Sequence, residues 1–498
     1  MSIASGAMTS PSLARVMSAE ALAMVEHAME EQEPRLTIMK FGGSSIQDPQ
    51  SIRRVARIVL DGMRGNPVVV LSAMGKTTNM LLTAADSALK GTVDISPIVD
   101  FTRGIAEGLG IEVPQSVEEL FQQLSKVLTG ISLLEDVTPR IQDFIVSFGE
   151  RISVRVLSEF FQTQGITAKP TDAWELGMVT SRGAGSSGSA HSDAMVLAES
   201  YQHIKASLKP LARSYDHTPV VTGYIAKDVD GKITTLGRDG SDLSASIIGA
   251  AVHAVEVQIW KDVCGVLTCD PRVVPTAIPV ELLTFEEAAE LTYFGSKVVH
   301  PHALLPIQRV GVPMVVKSSI DPSAPGTRIA PTRPPIERPT GAGNKFVGVV
   351  TAISMKRGIT MLDISSTRML GQHGFLAKTF SLFDKFGVSV DVIATSEVSV
   401  SLTLDPHFKT VDIGSLTKAL ERIANVVVSE ELGLITLIVA KAHSTPVMRL
   451  VMDTLDDMGI DVKLLSHGAS KVNISFLVDN AVVDDVILCL HGTLFPAE

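Results

Sequence analysis

Thr37-Ile-Met-Lys-Phe-Gly-Gly-Ser-Ser45 is an apolar strand that runs straight into paired glycines, and a helix follows it at once. Asp48 is placed to cap that helix, Pro49 takes its first position, and Ile52, Val55, Ile58 and Val59 keep helical spacing. Strand, tight loop and helix N-terminus in that order point to an α/β arrangement. They also suggest a chemistry. Gly42 and Gly43 let the backbone approach a ligand closely, the positive helix end favours an anion, and Lys40 adds a point charge. Phosphate binding is the implied use; an ordinary strand-to-helix turn is the alternative. The pattern G-x-x-x-x-G-K-[ST] occurs nowhere in the chain, so this is not a P-loop.

The strand-helix alternation continues. Val68–Leu71 is a continuous apolar run, as in a strand buried on both faces. Ser72-Ala-Met-Gly-Lys-Thr-Thr-Asn79 follows it as a second strand-end loop, where open α/β sheets collect ligands. Residues 80–147 read as helical and yield little about function. Ser147-Phe-Gly-Glu-Arg151 is expected to precede a helix marked by Val154, Leu157, Phe160 and Phe161. Gly183-Ala-Gly-Ser-Ser-Gly188 matches G-x-G-x-x-G, but no strand clearly precedes it and no ribose-binding acid follows a helix. It reads as a mobile loop. Val220–Tyr224 ends a strand, Thr234-Thr-Leu-Gly-Arg-Asp-Gly-Ser-Asp242 leads into a helix, Val255–Trp260 is a strand and Pro313–Lys317 closes the sheet. Residues 321–344, rich in Pro, Gly, Thr and Arg, read as a linker.

Beyond the linker the chain repeats. Gly387-Val-Ser-Val-Asp-Val realigns on Gly459-Ile-Asp-Val-Lys-Leu, 459 − 387 = 72 residues on. Each copy has a strand, a helix (373–386; 444–458), two strands and a second helix (412–425; 480–491), the β-α-β-β-α-β pattern of a ferredoxin-like domain. The first copy has a fourth strand near Val426–Ser429, while the second has little room for one. The strand at Phe346–Ser354 is expected to complete the second copy, nesting one domain in the other.

With 43 basic and 54 acidic residues the net charge is −11, which argues against nucleic acid as a partner. Three cysteines, Cys264, Cys269 and Cys489, make no disulfide framework and no zinc spacing, which suits a reducing compartment. No apolar run reaches the length of a membrane span. Residues 1–34 form an extension whose start is faintly transit-like but which turns acidic at Glu26, Glu30, Glu31 and Glu33.

Six motifs in order carry a resemblance: Lys40-Phe-Gly-Gly-Ser, Ser147-Phe-Gly-Glu-Arg, Thr234-Thr-Leu-Gly-Arg-x-Gly-Ser-Asp, Trp260-Lys-Asp-Val-x-Gly-Val-Leu-Thr-Cys-Asp-Pro-Arg272, Phe294-Gly-x-Lys-Val-x-His-Pro301 and the tandem repeat, which resembles paired ACT domains. Together, over residues 35–498, they resemble the aspartate kinase family, most of all its monofunctional, lysine-sensitive plant and algal members. No fused homoserine dehydrogenase is expected. The resemblance implies an amino acid kinase fold, a mostly parallel sheet flanked by helices, followed by two ferredoxin-like ACT domains. The implied division is a catalytic domain at 35–330, a linker at 331–345, a strand at 346–356, a first ACT domain at 357–430 and a second at 431–498.

The family reaction, implied by the resemblance, is phosphorylation of the L-aspartate side chain by ATP with Mg²⁺, the first step toward lysine, threonine and methionine. The nucleophile is a carboxylate already ionised at neutral pH, so the site needs positioning and charge cancellation rather than a general base. By resemblance, Lys40 stabilises the transferring phosphoryl group, and Gly42, Gly43 and Ser44 lend donors. Arg238 holds the substrate α-carboxylate, and Glu150 and Asp242 meet its ammonium or orient Lys40 and Arg238. Thr78 lines the aspartate pocket or caps a helix. Lys261, Asp262, Leu267, Arg272, Lys297 and Val298 contact nucleotide. His300 and His302 flank Pro301, where a capping role outweighs metal binding, and no protein side chains are assigned as metal ligands.

For regulation, the segment matching the inhibitory lysine site holds Met369, His373, Gly374, Phe375, Leu376, Val390, Asp391, Thr395, Ser396 and Glu397. Asp391 and Glu397 suit a cationic effector. Lys463 stands in the second copy where the first has Asp391, which makes that copy a poor cation site. S-adenosylmethionine is the other effector known among plant relatives. The resemblance further implies a homodimer or larger, assembled through the ACT domains, in a plastid or alternatively the cytoplasm, with no nucleic acid and no membrane. Two departures stand out: Asp239, where the family often has glycine, and the soft loop Gly185–Ser189. The competing readings are a kinase for another acidic amino acid, such as glutamate, and a catalytically silent amino-acid sensor.

Overall fold

A computed structural model describes residues 36–182, 194–293, 299–333, 349–366, 373–404, 413–439, 444–467 and 472–496. Residues 1–34, the G-x-G-x-x-G at 183–188 and most of the 331–345 linker therefore lie outside the described residues. The chain divides into two compact units, Met1–Trp260 and Lys261–Glu498.

In the first unit, β1 (Thr37–Phe41), α1 (Pro49–Asp61) and β2 (Pro67–Leu71) are followed by the helices α2 (Thr77–Leu89), α3 (Ser96–Leu109), α4 (Gln115–Leu134) and α5 (Pro139–Thr163). Then come β3 (Ala168–Thr171), β4 (Val179–Thr180), α6 (Glu199–Ser214), β5 (Thr218–Thr222), β6 (Ile225–Asp228), β7 (Ile233–Thr235), α7 (Gly240–Ala251) and β8 (Val257–Lys261). The order β3-β5-β2-β1-β8 is parallel at every pairing. β1, β2 and β5 are buried along their whole length, as strands covered on both faces must be. The Asp48 side chain accepts the Ser51 N–H at 2.9 Å, and Pro49 opens α1, as the sequence requires. Phe41, Ile52, Val55, Leu71, Leu81, Phe148 and Leu157 share one core.

One local expectation is corrected. Ser147–Arg151 does not precede a helix; it lies in the middle of α5. Gly149, a poor helix former, is tolerated because a Cβ there would sit 2.7 Å from the Cβ of Ala73. The close approach brings α5 against the strand-end loop.

The second unit opens with β9 (Leu282–Thr284), α8 (Phe285–Tyr293), α9 (Pro301–Val310), β10 (Met314–Ser318) and β11 (Thr327–Ala330). β10 and β11 pair antiparallel, and β11 and β9 parallel. β11 lies inside the stretch 321–344 that composition marks as linker. Its pairing and burial override composition: Thr327 is fully buried, and its hydroxyl donates to the Val280 carbonyl while accepting the Val266 N–H.

The rest is one antiparallel sheet with helices: β12 (Val350–Ser365), α10 (Phe375–Lys385), β13 (Val390–Thr395), β14 (Ser399–Leu404), α11 (Ile413–Leu420), β15 (Asn425–Val439), α12 (Ser444–Asp457), β16 (Leu464–His467), β17 (Asn473–Asp479) and α13 (Val483–Leu494). Strand order is β13-β14-β12-β15-β17-β16. The two long strands serve both repeats. The C-terminal part of β12 pairs with β14 and the start of β15, while its N-terminal part pairs with the end of β15, next to β17. Gly358, at φ +67°, sits at the register irregularity where β12 passes between the two halves. The sequence boundaries at 356/357 and 430/431 thus fall inside continuous strands. Each half keeps its own core, Leu362, Phe383, Leu402 and Leu416 in one, and Ile435, Val451, Phe476 and Ile487 in the other. The second core also takes in Cys269 and Val274. Among the described residues no helix is long and apolar enough to cross a membrane.

Candidate active site

The C-terminal ends of β1 and β2 and the start of α7 bring together the charged groups of the first unit. Lys40 near the end of β1 places Nζ 2.6 Å from Oδ1 of Asp242 in the first turn of α7. Both side chains are nearly sealed from solvent, at 8% and 1% exposure, so the charges stabilise one another where neither could stand alone. Glu150 is buried beside them; its Oε1 accepts the Ala73 N–H at 3.2 Å, and its Oε2 accepts no hydrogen bond from the described residues. Burial pushes the Glu150 carboxyl up to about 8, against the lowering pull of backbone N–H groups and of Lys40.

The glycine loop is shaped for close approach. A Cβ on Gly43 would lie 2.8 Å from the Ala73 carbonyl oxygen, and the Gly75 N–H donates to the Gly43 carbonyl at 3.1 Å. The two strand-end loops are thereby joined, with Ser44 exposed on their outer side. Thr78 is half-buried in the first turn of α2, whose N-terminus has no side-chain cap, so the capping alternative for Thr78 is not realised. Arg238 is exposed, and no ion pair or hydrogen bond holds its guanidinium among the described residues. Asp239 caps α7 by position at φ +54°, a conformation that favours glycine. We expect Asp239→Gly to lower the aspartate KM roughly threefold by removing a like charge from the approach of an anionic substrate, about 0.6 kcal/mol; steady-state kinetics across salt concentrations checks this.

Tyr224 is a residue that motif reading misses. It sits at φ +67°, its phenol hydrogen-bonds Thr235, and burial pushes it up to about 12, with Glu150 and Asp143 adding to the rise. A Cβ on Gly240 would meet its ring at 2.8 Å, so Tyr224 fixes the start of α7 and with it Asp242. Only its place after the strand end Val220–Thr222-Gly223 hinted at this.

In the second unit, Lys261 is half-buried and its carbonyl accepts both the N–H and the hydroxyl of Ser319. Asp262 is exposed and Leu267 half-buried. Arg272 is extended into solvent, with Nη2 2.6 Å from Oδ2 of Asp270, so a nucleotide phosphate would have to compete with that carboxylate. His300 caps α9, accepting the His302 N–H at 3.3 Å. Lys297 and Val298 lie outside the described residues, as does Met369.

Of the expected effector residues, His373 and Gly374 open α10, Gly374 at φ +84°, followed by Phe375 and the exposed Leu376. Val390 and Asp391 begin β13. Thr395, Ser396 and Glu397 form the exposed turn into β14, tied by a Ser396–Ser399 hydroxyl pair at 2.7 Å. Asp391, which suits a cationic effector, is already engaged within the chain. Its Oδ2 accepts Lys356 Nζ at 2.9 Å, and its Oδ1 accepts the Tyr293 hydroxyl at 2.9 Å.

The chain matches the Amino acid kinase family over residues 35–318. It is 40% identical to Aspartokinase 1, chloroplastic, of Arabidopsis thaliana, over 95% of this chain and 82% of that one. Two crystal structures of Escherichia coli aspartokinase III are similar over most of the chain. One, in complex with aspartate and ADP (R-state), has 31% identity and a TM-score of 0.69, covering 92% of this chain and 100% of that one. The other, in complex with lysine and aspartate (T-state), has 30% identity and a TM-score of 0.69, covering 92% and 99%. With this family match and this identity along nearly all its length, the chain belongs to the amino acid kinase family and, within it, to the aspartokinases.

Proposed function

We propose that the chain transfers the γ-phosphoryl group of ATP to the side-chain carboxylate of L-aspartate, giving 4-phospho-L-aspartate and ADP. The observation that carries the site assignment is the buried Lys40–Asp242 pair at the strand ends, beside Glu150. A carboxylate oxygen of aspartate attacks the γ-phosphorus, the bond to the bridging oxygen breaks, and ADP leaves with the electron pair. Lys40, held in place by Asp242, cancels charge on the transferring group, and the glycine loop offers N–H donors at close range. Arg238 takes the α-carboxylate, and Glu150 takes the ammonium.

Mg²⁺ is expected to come with ATP, held by the phosphates and its own waters, since Asp242 is paired with Lys40, Glu150 is given to the substrate ammonium, and among the described residues no group of three or more His, Cys, Asp or Glu is placed to hold an ion. The ion supplies charge cancellation across the phosphates; positioning is the work of the chain's own residues. Arg238→Ala is expected to raise the aspartate KM about 10²-fold with a smaller change in the ATP KM, because a charge-assisted hydrogen bond to substrate is lost. Initial rates with each substrate varied in turn check this.

Residues 35–330 act as the catalytic domain and the long-stranded sheet as the regulatory one, with lysine inhibiting at the first repeat around Asp391. Assembly through that sheet as a homodimer or larger, and residence in a plastid like the chloroplastic Arabidopsis relative, complete the reading. A coupled ADP-release assay with Mg-ATP and aspartate or glutamate, with and without lysine, tests it. Turnover of aspartate suppressed by lysine is the expected result; turnover of neither acid overturns the catalytic assignment.

A further inference from the structure

The carboxylate expected to receive the effector's ammonium already holds one. Asp391 has only 2% of its side chain exposed, and the Lys356 side chain 12%. Lys356 Nζ also lies 4.7 Å from the centroid of the Tyr293 ring. A carboxylate steadied by a phenol hydroxyl, together with that phenol's ring face, meets one primary ammonium, and these are groups that would bind the end of a free lysine. The three residues come from separate elements. Lys356 is on β12, two residues before the crossing point Gly358, Asp391 is on β13, and Tyr293 is the last residue of α8. α8 is tied to the other repeat as well, where Asn473 Nδ2 donates to Glu290 Oε2 at 2.6 Å.

We infer that Lys356 is an internal stand-in for the effector: it fills the ammonium subsite of Asp391, and lysine binds by exchanging one ammonium for another. The inference rests on the reading that lysine acts at Asp391. Exchange suits a buried carboxylate, since neither end state leaves it unpaired. It also sets sensitivity. While Lys356 holds the subsite, only the released fraction of the protein is competent to bind, and the apparent affinity falls by that fraction. The released Lys356 leaves the Tyr293 ring, so the occupant of the subsite decides how the end of α8 is held.

The test is a lysine titration of ADP release by the full-length protein, with calorimetric lysine binding alongside. Lys356→Met removes the competitor and is expected to lower the half-inhibiting lysine concentration about tenfold, with basal aspartate kinetics within about twofold of the parent. Lys356→Arg keeps the charge and can engage Asp391 with two N–H groups, so it is expected to raise that concentration by about the same factor. The arginine variant preserves the buried pair and stays informative if the methionine variant does not fold. Equal lysine sensitivity in the parent and the folded variants overturns the stand-in and leaves lysine regulation standing. A parent indifferent to lysine beside a sensitive Lys356→Met would support it most directly. Indifference of every form, with aspartate still turned over, sinks lysine regulation and the stand-in together.

Discussion

Lys40→Met is expected to lower kcat for aspartate about 10³-fold while the KM for aspartate moves far less, as for loss of a group that acts on charge developing in the transition state. The size follows from burial. Lys40 and Asp242 are 2.6 Å apart and sealed from water, so the ammonium works at low effective dielectric. The variant also loses stability, roughly 3 to 5 kcal/mol, because Asp242 is left as an uncompensated buried charge. The double variant Lys40→Met/Asp242→Asn separates the two effects. Stability should largely return, because the orphaned charge is gone, while kcat stays low. Chemical denaturation and single-turnover rates read the two quantities independently.

The second large effect belongs to Glu150. Its carboxyl is pushed up to about 8 in the folded chain, from an ordinary value of 4.5. A folded pKa above the unfolded one means that the folded state binds the proton more tightly. This contribution to stability is fully present below pH 4.5 and is lost as pH rises through about 8. The free enzyme should therefore weaken across that window by several kcal/mol, since a tenfold difference in proton affinity between the folded and unfolded chain is worth about 1.4 kcal/mol. Glu150→Gln should flatten this loss and unfold at higher denaturant concentration at pH 8. The same group should lose its proton when the aspartate ammonium arrives, since an adjacent cation favours the carboxylate. Calorimetry of aspartate binding at pH 7 in buffers of different ionisation enthalpy is expected to show proton release, close to one per site. Release should vanish in Glu150→Gln, with aspartate affinity reduced.

Much of this site was legible in the sequence because its elements are local. Lys40, the glycines and the Asp48 cap lie within a dozen residues, and strand, turn and helix chemistry act at that range. The contacts that set the energies are not local. The Ala73 N–H that meets Glu150 is 77 residues away, and Lys356 is 35 residues from Asp391. Neither partner carries a motif. The 72-residue repeat announced the ferredoxin-like pattern, but not that β12 and β15 each run through both halves, since strand continuity depends on pairing between distant segments. β11 was hidden for the opposite reason. Its turn-rich surroundings look like a linker, and it is the hydrogen bonds of Thr327 and the ladders to β10 and β9 that make it a strand.

The most direct test of the account is to trap the product. Run with aspartate, Mg-ATP and hydroxylamine, the chain should form aspartate β-hydroxamate in step with ADP, one for one, because an acyl phosphate is captured by the amine. ADP release without hydroxamate would mean that water, not the aspartate carboxylate, takes the phosphoryl group, and hydroxamate from glutamate alone would move the acceptor. Either result would contradict the assignment of the Lys40–Asp242–Glu150 cluster to aspartate phosphorylation.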